Sequence, residues 1–248
     1  MANVSLYIDD SSIRLLITAG KEIKKWAELP LEPGLVKDGA IVDEAAVASA
    51  VRKLFKTENL QTRRVITSLS GLHCLSRLIS LPRLPKSLLP EAITREAERL
   101  LPVPLEQFYL SWQTTGSSRE GMNVFSIAFP RDAADALTRT LRQAGLDPYL
   151  IDVKPLALAR VVNKATAIVV DVQHNELDIV IIVDRIPQLI RSISLPREQR
   201  SRQKKMAVIR DELDRTLTFY NSSHGENPRD PEIPVFVSGE LVKESEEG

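Results

Sequence analysis

Two short polar stretches hold the residue types that could do chemistry in this chain. They are Asp9-Asp10-Ser11-Ser12 in YIDDSSIRLL and Asp171-Val172-Gln173-His174-Asn175 in AIVVDVQHNELDIV. Each follows an apolar run that ends in Asp and precedes a second apolar run. A corner of this kind can cradle a phosphate: backbone N–H groups and small hydroxyls converge on the anion, glycine lets the backbone approach, and a nearby Asp holds Mg²⁺ or its waters. It can equally be a tight turn between two strands. A third stretch, Ser238-Gly239-Glu240, closes the last apolar run with a single glycine.

The other candidates carry less. His73 and Cys74 are adjacent in SGLHCLSR; neighbouring strand residues point to opposite faces, so they are poorly placed to act on one substrate atom, and a half-buried strand is expected there. His174 and His224 stand in polar turns without acidic or histidine companions at ligand spacing, which argues against a metal. Glu91, Glu96 and Glu98 with Arg95 and Arg99 read as the wet face of a helix. The basic run from Arg197 to Lys205 reads as a solvated loop and helix start, with anionic lipid or an acidic partner as the alternative. No P-loop, HExxH or G-x-S-x-G pattern offers another enzyme class.

The elements that position the corners follow from hydrophobic periodicity. VSLYIDDSSIRLLI at 4–17 predicts a hairpin, with a third strand over Ile23–Leu29. Asp43 can cap a helix whose apolar positions are Val47, Ala50, Val51, Leu54 and Phe55, and Arg64–Leu69 returns as a strand. Prolines then bound a short amphipathic helix with Leu89, Ile93, Ala97 and Leu100 on one stripe. Two apolar runs around TGSSREG predict a second hairpin, and Arg131–Ala144 a helix ended by Gly145. After a further strand and helix, AIVVDVQHNELDIVIIVDRIPQLIRSISL predicts three strands. A long helix with Met206, Ile209, Leu213, Leu217 and Tyr220 buried and a final strand PVFVSG complete the chain. The strand–Asp–turn–strand pattern thus occurs twice, as duplicated halves would show.

Composition narrows the function classes. Lys+Arg and Asp+Glu balance at 33 each in 248 residues, so no overall field favours nucleic acid or membrane lipid. One cysteine excludes a disulfide framework and suits a reducing compartment. The N-terminus has no secretory pattern, and no run approaches the ~20 apolar residues of a membrane span.

PGLVKDGAIVD at 33–43 and LPRLPKSLLPEAITREAERLLPVPLEQFYLSWQ at 81–113, together with the two hairpins and the closing Ser-Gly, resemble the actin-like ATPase superfamily, and within it the PilM-like type IV pilus assembly proteins related to FtsA. The resemblance runs from residue 4 to about 240. It implies an α/β, actin-like (ribonuclease H-like) duplicated fold with an inserted FtsA-type 1C subdomain. The expected division is 1A over 1–72, 1C over 73–147, a return to 1A over 148–164, and 2A over 165–248, cut short at its C-terminal end. Subdomain 2B is reduced or absent, because only LPREQRSRQKKMA separates Ser194 from the long helix.

The resemblance also implies a cytoplasmic adaptor, peripheral to the inner membrane, that binds the N-terminal tail of a PilN-like membrane protein in a groove between 1A and 1C. Other pilus assembly or secretion proteins are further partners it implies, and it leaves self-association open. Its nucleotide residues would be Asp9, Asp10, Ser11, Ser12, Asp171, Gln173, His174, Asn175, Ser238 and Gly239, with Mg²⁺ near Asp9 or Asp171 if ATP is bound. The family pattern places glycine where Asp10 and Gln173 stand. A carboxylate at Asp10 repels polyphosphate, by about 4 kcal/mol for like charges 4 Å apart at an effective dielectric of 20. Both replacements add a Cβ where the backbone must approach the ligand. The expectation is therefore a pseudo-ATPase with no cofactor and no catalytic residues. The alternatives are an ATP-gated actin-like protein and a GspL-like type II secretion domain.

Overall fold

The computed structural model describes residues 2–101, 103–117, 121–195, 202–223 and 233–239; His224, Glu240 and residues 197–201 of the basic run lie outside them. The chain divides into two compact units, Met1–Leu72 with Pro130–Ala157, and His73–Phe129 with Leu158–Gly248.

The first unit opens with a meander of β1 (Ala2–Ile8), β2 (Ser12–Ala19) and β3 (Glu22–Pro30). Strand alternation buries Val4, Leu6, Ile8, Ile13 and Leu15 on one face. Two short strands follow, β4 (Val36–Lys37) and β5 (Ala40–Ile41), joined through Asp38 and Gly39 with φ of 50° and 75°. A two-residue hairpin loop with both residues left-handed is the tight turn that Asp-Gly favours. Helix α1 (Glu44–Thr57) starts where Asp43 accepts the Ala46 N–H at 2.9 Å, and it buries Val47, Ala48, Val51, Leu54 and Phe55. Strand β6 (Arg64–Leu69) then pairs in parallel with β1.

The second unit begins with β7 (Leu75–Leu81), α2 (Leu89–Leu100), β8 (Phe108–Ser117) and β9 (Met122–Pro130). Their three-stranded sheet has the order β7-β9-β8. Helix α2 starts with Pro90 in its first turn and packs Leu89, Ile93 and Ala97 onto Ile79, Val124 and Ala128. The first unit is completed by α3 (Arg131–Gln143), which packs on α1, and β10 (Asp147–Val153), parallel to β6.

Helix α4 (Lys154–Val162) leads to β11 (Ala167–Val172), β12 (Glu176–Val183) and β13 (Ile186–Ser194). Helix α5 (Arg202–Ser223) and β14 (Val235–Gly239) end the described chain. Leu158, Ala159 and Val162 of α4 cover one side of this sheet and Ile209, Leu213 and Leu217 of α5 another apolar cluster, so β11 is buried along its whole length. The two large sheets share one plan: β10-β6-β1-β2-β3 in the first unit and β13-β12-β11-β14 in the second. In each, the first strand pairs antiparallel with the second and parallel with a strand reached through a helix. The twofold sequence pattern is therefore a twofold topology.

Two local expectations are corrected. His73 lies in a turn with φ of 67° and Cys74 precedes the strand, which starts at Leu75. Met206 is exposed, its place on the α5 face taken by Val208 and Thr216. No helix among the described residues is long and apolar enough to cross a membrane.

Ile93 has 0% exposure at the centre of the α2 cluster. Ile93→Ala leaves a void there and is expected to cost about 3 kcal/mol in urea unfolding, whereas Thr94→Ala, on the exposed face, should cost well under half of that.

Candidate functional site

In the first corner, the register Ile8↔Ile13 leaves four residues to turn the chain between β1 and β2. Asp9 folds back over them: its Oδ1 accepts the Ser11 N–H (2.8 Å), the Ser11 Oγ–H (2.7 Å) and the Ser12 N–H (2.9 Å). The Asp9 N–H donates to the Ser12 carbonyl at 3.0 Å. Arg14 Nη2 lies 3.1 Å from Asp9 Oδ2, and Arg14 Nε lies 3.0 Å from Glu28 Oε1, directly across the β2–β3 pairing. Burial works against the Arg14 charge, but the fields of Asp9 and Glu28 and the Glu28 hydrogen bond outweigh it and hold the guanidinium above its usual range. Ser12 Oγ donates to Glu28 Oε1 at 2.7 Å.

Asp10 faces another way. Its carboxylate accepts the Asp38 N–H at 3.1 Å and the Gly39 N–H at 3.0 Å, tying the β4–β5 turn to the corner. Gly39 in turn sits so close to Ser70 that an added Cβ would lie 2.5 Å from the Ser70 Cβ. The side chain at this position is thus a clamp between elements 28 residues apart in sequence.

In the second corner, Asp171 lies within β11, opposite Asp178 of β12 and Ser238 of β14. It has 2% exposure. Ser238 Oγ donates to its Oδ1 at 2.7 Å, and Gln173 Nε2 donates to Oδ1 and Oδ2 at 3.0 and 2.9 Å. Gln173 therefore covers the carboxylate with its own amide. Gly239 has φ of 88°, and a Cβ there would lie 2.1 Å from the Val172 carbonyl oxygen and 2.9 Å from Gln173 Nε2, so only glycine fits. The turn is closed by the Gln173 N–H on the Glu176 carbonyl (2.8 Å) and braced by the Leu195 N–H on the Asn175 carbonyl (2.7 Å). His174 is exposed at its tip.

Asp171, Gln173, Ser238 and Gly239 are thus brought together, with His174 and Asn175 beside them, while Asp9, Asp10, Ser11 and Ser12 form a separate corner in the other unit. Arg14, Glu28 and Gly39 contribute without a signal in the sequence analysis, and Lys205, read there as the end of a solvated basic run, instead donates its ammonium to the Gln173 carbonyl at 3.1 Å. The Arg14–Glu28 pair could have been found by laying the β2–β3 hairpin in register; the Asp10 clamp has no local signal. Deeper in the second unit, Ser192 Oγ donates to Asp178, and burial, reinforced by Asp178 and Glu176, pushes the Cys74 thiol up to about 12. Among the described residues no group of histidine, cysteine and carboxylate could hold a metal.

The family model of the type IV pilus assembly protein PilM matches residues 9–200. The structure of a PilM-PilN type IV pilus biogenesis complex aligns at 25% identity with a TM-score of 0.77, covering 97% of this chain and 82% of that one. The cytoplasmic domain of EpsL, an inner membrane component of the type II secretion system of Vibrio cholerae, aligns at 11% identity and a TM-score of 0.58 over 96% and 82% of the two chains. The ethanolamine utilization protein EutJ of Carboxydothermus hydrogenoformans aligns at 17% and 0.54 over 98% and 77%. The last two likenesses are of fold, the mixed α/β fold of the actin-like ATPases. No curated protein matches the chain by sequence.

Two outcomes test these local assignments. Asp10→Ala strands two backbone N–H groups of the β4–β5 turn and is expected to lower stability by about 2 kcal/mol in chemical denaturation. Cys74 should resist iodoacetamide at pH 8 in the folded protein and react promptly in urea. Its folded pKa, about 12, lies above the ordinary 9.0, so the stability this thiol contributes is complete below pH 9 and is lost as pH rises toward 12.

Proposed function

Because the chain belongs to the PilM family of type IV pilus assembly proteins, we propose that it acts as a cytoplasmic adaptor held at the inner membrane by the N-terminal tail of a PilN-like membrane protein. The likeness to the PilM-PilN complex over nearly the whole chain is the observation that carries this reading. An extended tail suits such a role physically: backbone hydrogen bonds supply affinity and alternate side chains supply selectivity.

In the same proposal the actin-like fold works here as a scaffold rather than as an ATPase. What supports this is the internal use of the groups a nucleotide would need. The Ser11 and Ser12 N–H groups are donated to Asp9. Asp171, one of the two carboxylates expected beside Mg²⁺, is covered by the Gln173 amide and the Ser238 hydroxyl. Asp10 adds a negative charge at the first corner and is committed to the β4–β5 turn. Polyphosphate would have to displace these bonds while meeting an extra carboxylate, so ATP and Mg²⁺ do not fit this arrangement.

Calorimetric titration tests both parts. A synthetic peptide of the cytoplasmic N-terminal tail of the PilN-like protein is expected to bind at micromolar affinity, and Mg-ATP to give no saturable heat up to millimolar concentration, corresponding to binding weaker than about −4 kcal/mol. Absence of tail binding overturns the adaptor reading; saturable micromolar ATP binding restores the nucleotide-gated alternative.

A further inference from the structure

The family resemblance puts Mg²⁺ near Asp9 or Asp171, and neither carboxylate is laid out to receive it. Asp171 accepts from two neutral donors, the Ser238 hydroxyl and the Gln173 amide. At Asp9 the two oxygens are used unequally. Oδ1 takes the Ser11 N–H at 2.8 Å, the Ser11 hydroxyl at 2.7 Å and the Ser12 N–H at 2.9 Å, which fixes the orientation of the carboxylate. Oδ2 is buried and accepts no hydrogen bond among the described residues; Arg14 Nη2 lies 3.1 Å from it as an ion pair. A buried carboxylate oxygen in that position needs an opposite charge, and Arg14 brings one.

The same guanidinium serves a second carboxylate. Arg14 Nε lies 3.0 Å from Glu28 Oε1, which also accepts the Ser12 hydroxyl at 2.7 Å, and the β2–β3 register sets Arg14 directly opposite Glu28. An acid from the corner and an acid from the neighbouring strand thus converge on adjacent nitrogens of one planar cation. The Asp9 side chain is 10% exposed and those of Arg14 and Glu28 are 29% and 31% exposed, so the cation fills this space from the solvent side. Two carboxylates and a hydroxyl are hard oxygen donors, the set that Mg²⁺ or Mn²⁺ takes together with waters.

We propose that Arg14 is the resident cation of the first corner: a tethered guanidinium that stands between Asp9 and Glu28 in place of a divalent ion, over a latent cation site made of Asp9, Ser12 and Glu28. Strand β2 delivers this charge without the cost of capturing a free ion, and a guanidinium stays charged at every pH the fold survives. A metal entering the corner would have to expel Arg14 from both carboxylates. The corner therefore needs no metal and admits none while Arg14 is present. Vacating Arg14 uncovers two converging acids, one of them held in a fixed orientation by its own turn. The assignment rests on the scaffold reading above, and gives it a residue that keeps the metal out.

Mn²⁺ is the probe, its uptake by the whole chain read from loss of the free-ion paramagnetic resonance signal. The wild type and Arg14→Lys, which keeps the positive charge, are expected to take up none up to about 1 mM. Arg14→Gln should bind one ion with a dissociation constant of about 0.1–1 mM and melt at a higher temperature when Mn²⁺ is added. Adding Asp9→Asn to Arg14→Gln should weaken that uptake at least about tenfold. If Arg14→Gln is unfolded by itself, Mn²⁺ is expected to restore its folded signal. An Arg14→Gln chain that neither binds Mn²⁺ nor refolds with it, or uptake indifferent to Asp9, overturns the tethered-cation assignment alone. Wild-type uptake as tight as that of Arg14→Gln overturns the scaffold reading with it.

Discussion

Both candidate corners depend on one constraint: the first strand of each half is central in its sheet. Strand β1 is held antiparallel by β2 and parallel by β6, and β11 likewise by β12 and β14. A strand paired on both sides cannot slip without breaking two ladders and turning its apolar residues outward. The corner at its C-terminal end is therefore fixed in position, and an Asp there meets the same neighbours every time. In the second half that neighbour is Ser238 of the parallel strand; in the first it is the N–H groups of the turn itself.

This rigidity bears on the side chains that enter each corner, Asp10 and Gln173. A side chain entering a fixed corner must find partners inside it, since a buried polar group left unpaired costs more than a hydrogen bond gains. Asp10 finds the Asp38 and Gly39 N–H groups, and Gln173 finds Asp171. The two solutions are chemically opposite: a carboxylate accepting from backbone at one corner, an amide donating to a carboxylate at the other. Each leaves its corner satisfied from within. The glycine at the end of β14 has no space for a side chain, since a Cβ there would lie 2.1 Å from a carbonyl oxygen.

What could be read from sequence followed how local each cause was. Strand pairs, the Asp43 cap and the α2 stripe rest on contacts within a few residues, and they stand where periodicity placed them. The repeated strand–Asp–turn–strand pattern was legible as duplication because both halves use the same neighbouring strands. His73 and Cys74 were misplaced because a left-handed turn at a non-glycine residue gives little warning. Met206 looked like a core residue on helical spacing, but Val208 and the small polar Thr216 take part in the packing instead. At the site, residue types were visible and their partners were not. Asp10 reads as a charge repelling phosphate until the turn at Asp38 and Gly39 is brought to it, and Gln173 reads as a lost glycine until its amide is seen on Asp171.

On the proposed scaffold reading a nucleotide does not change the affinity for a partner, since an effector acts only through a difference in its binding to two states. The most direct test is that coupling itself: the dissociation constant of the membrane-protein tail peptide, measured with and without 5 mM Mg-ATP, a concentration of about millimolar order where even weak sites fill. Equal constants within a factor of about two are the predicted result. A shift of tenfold or more, in either direction, would show that the hairpins still gate the partner and would contradict the account.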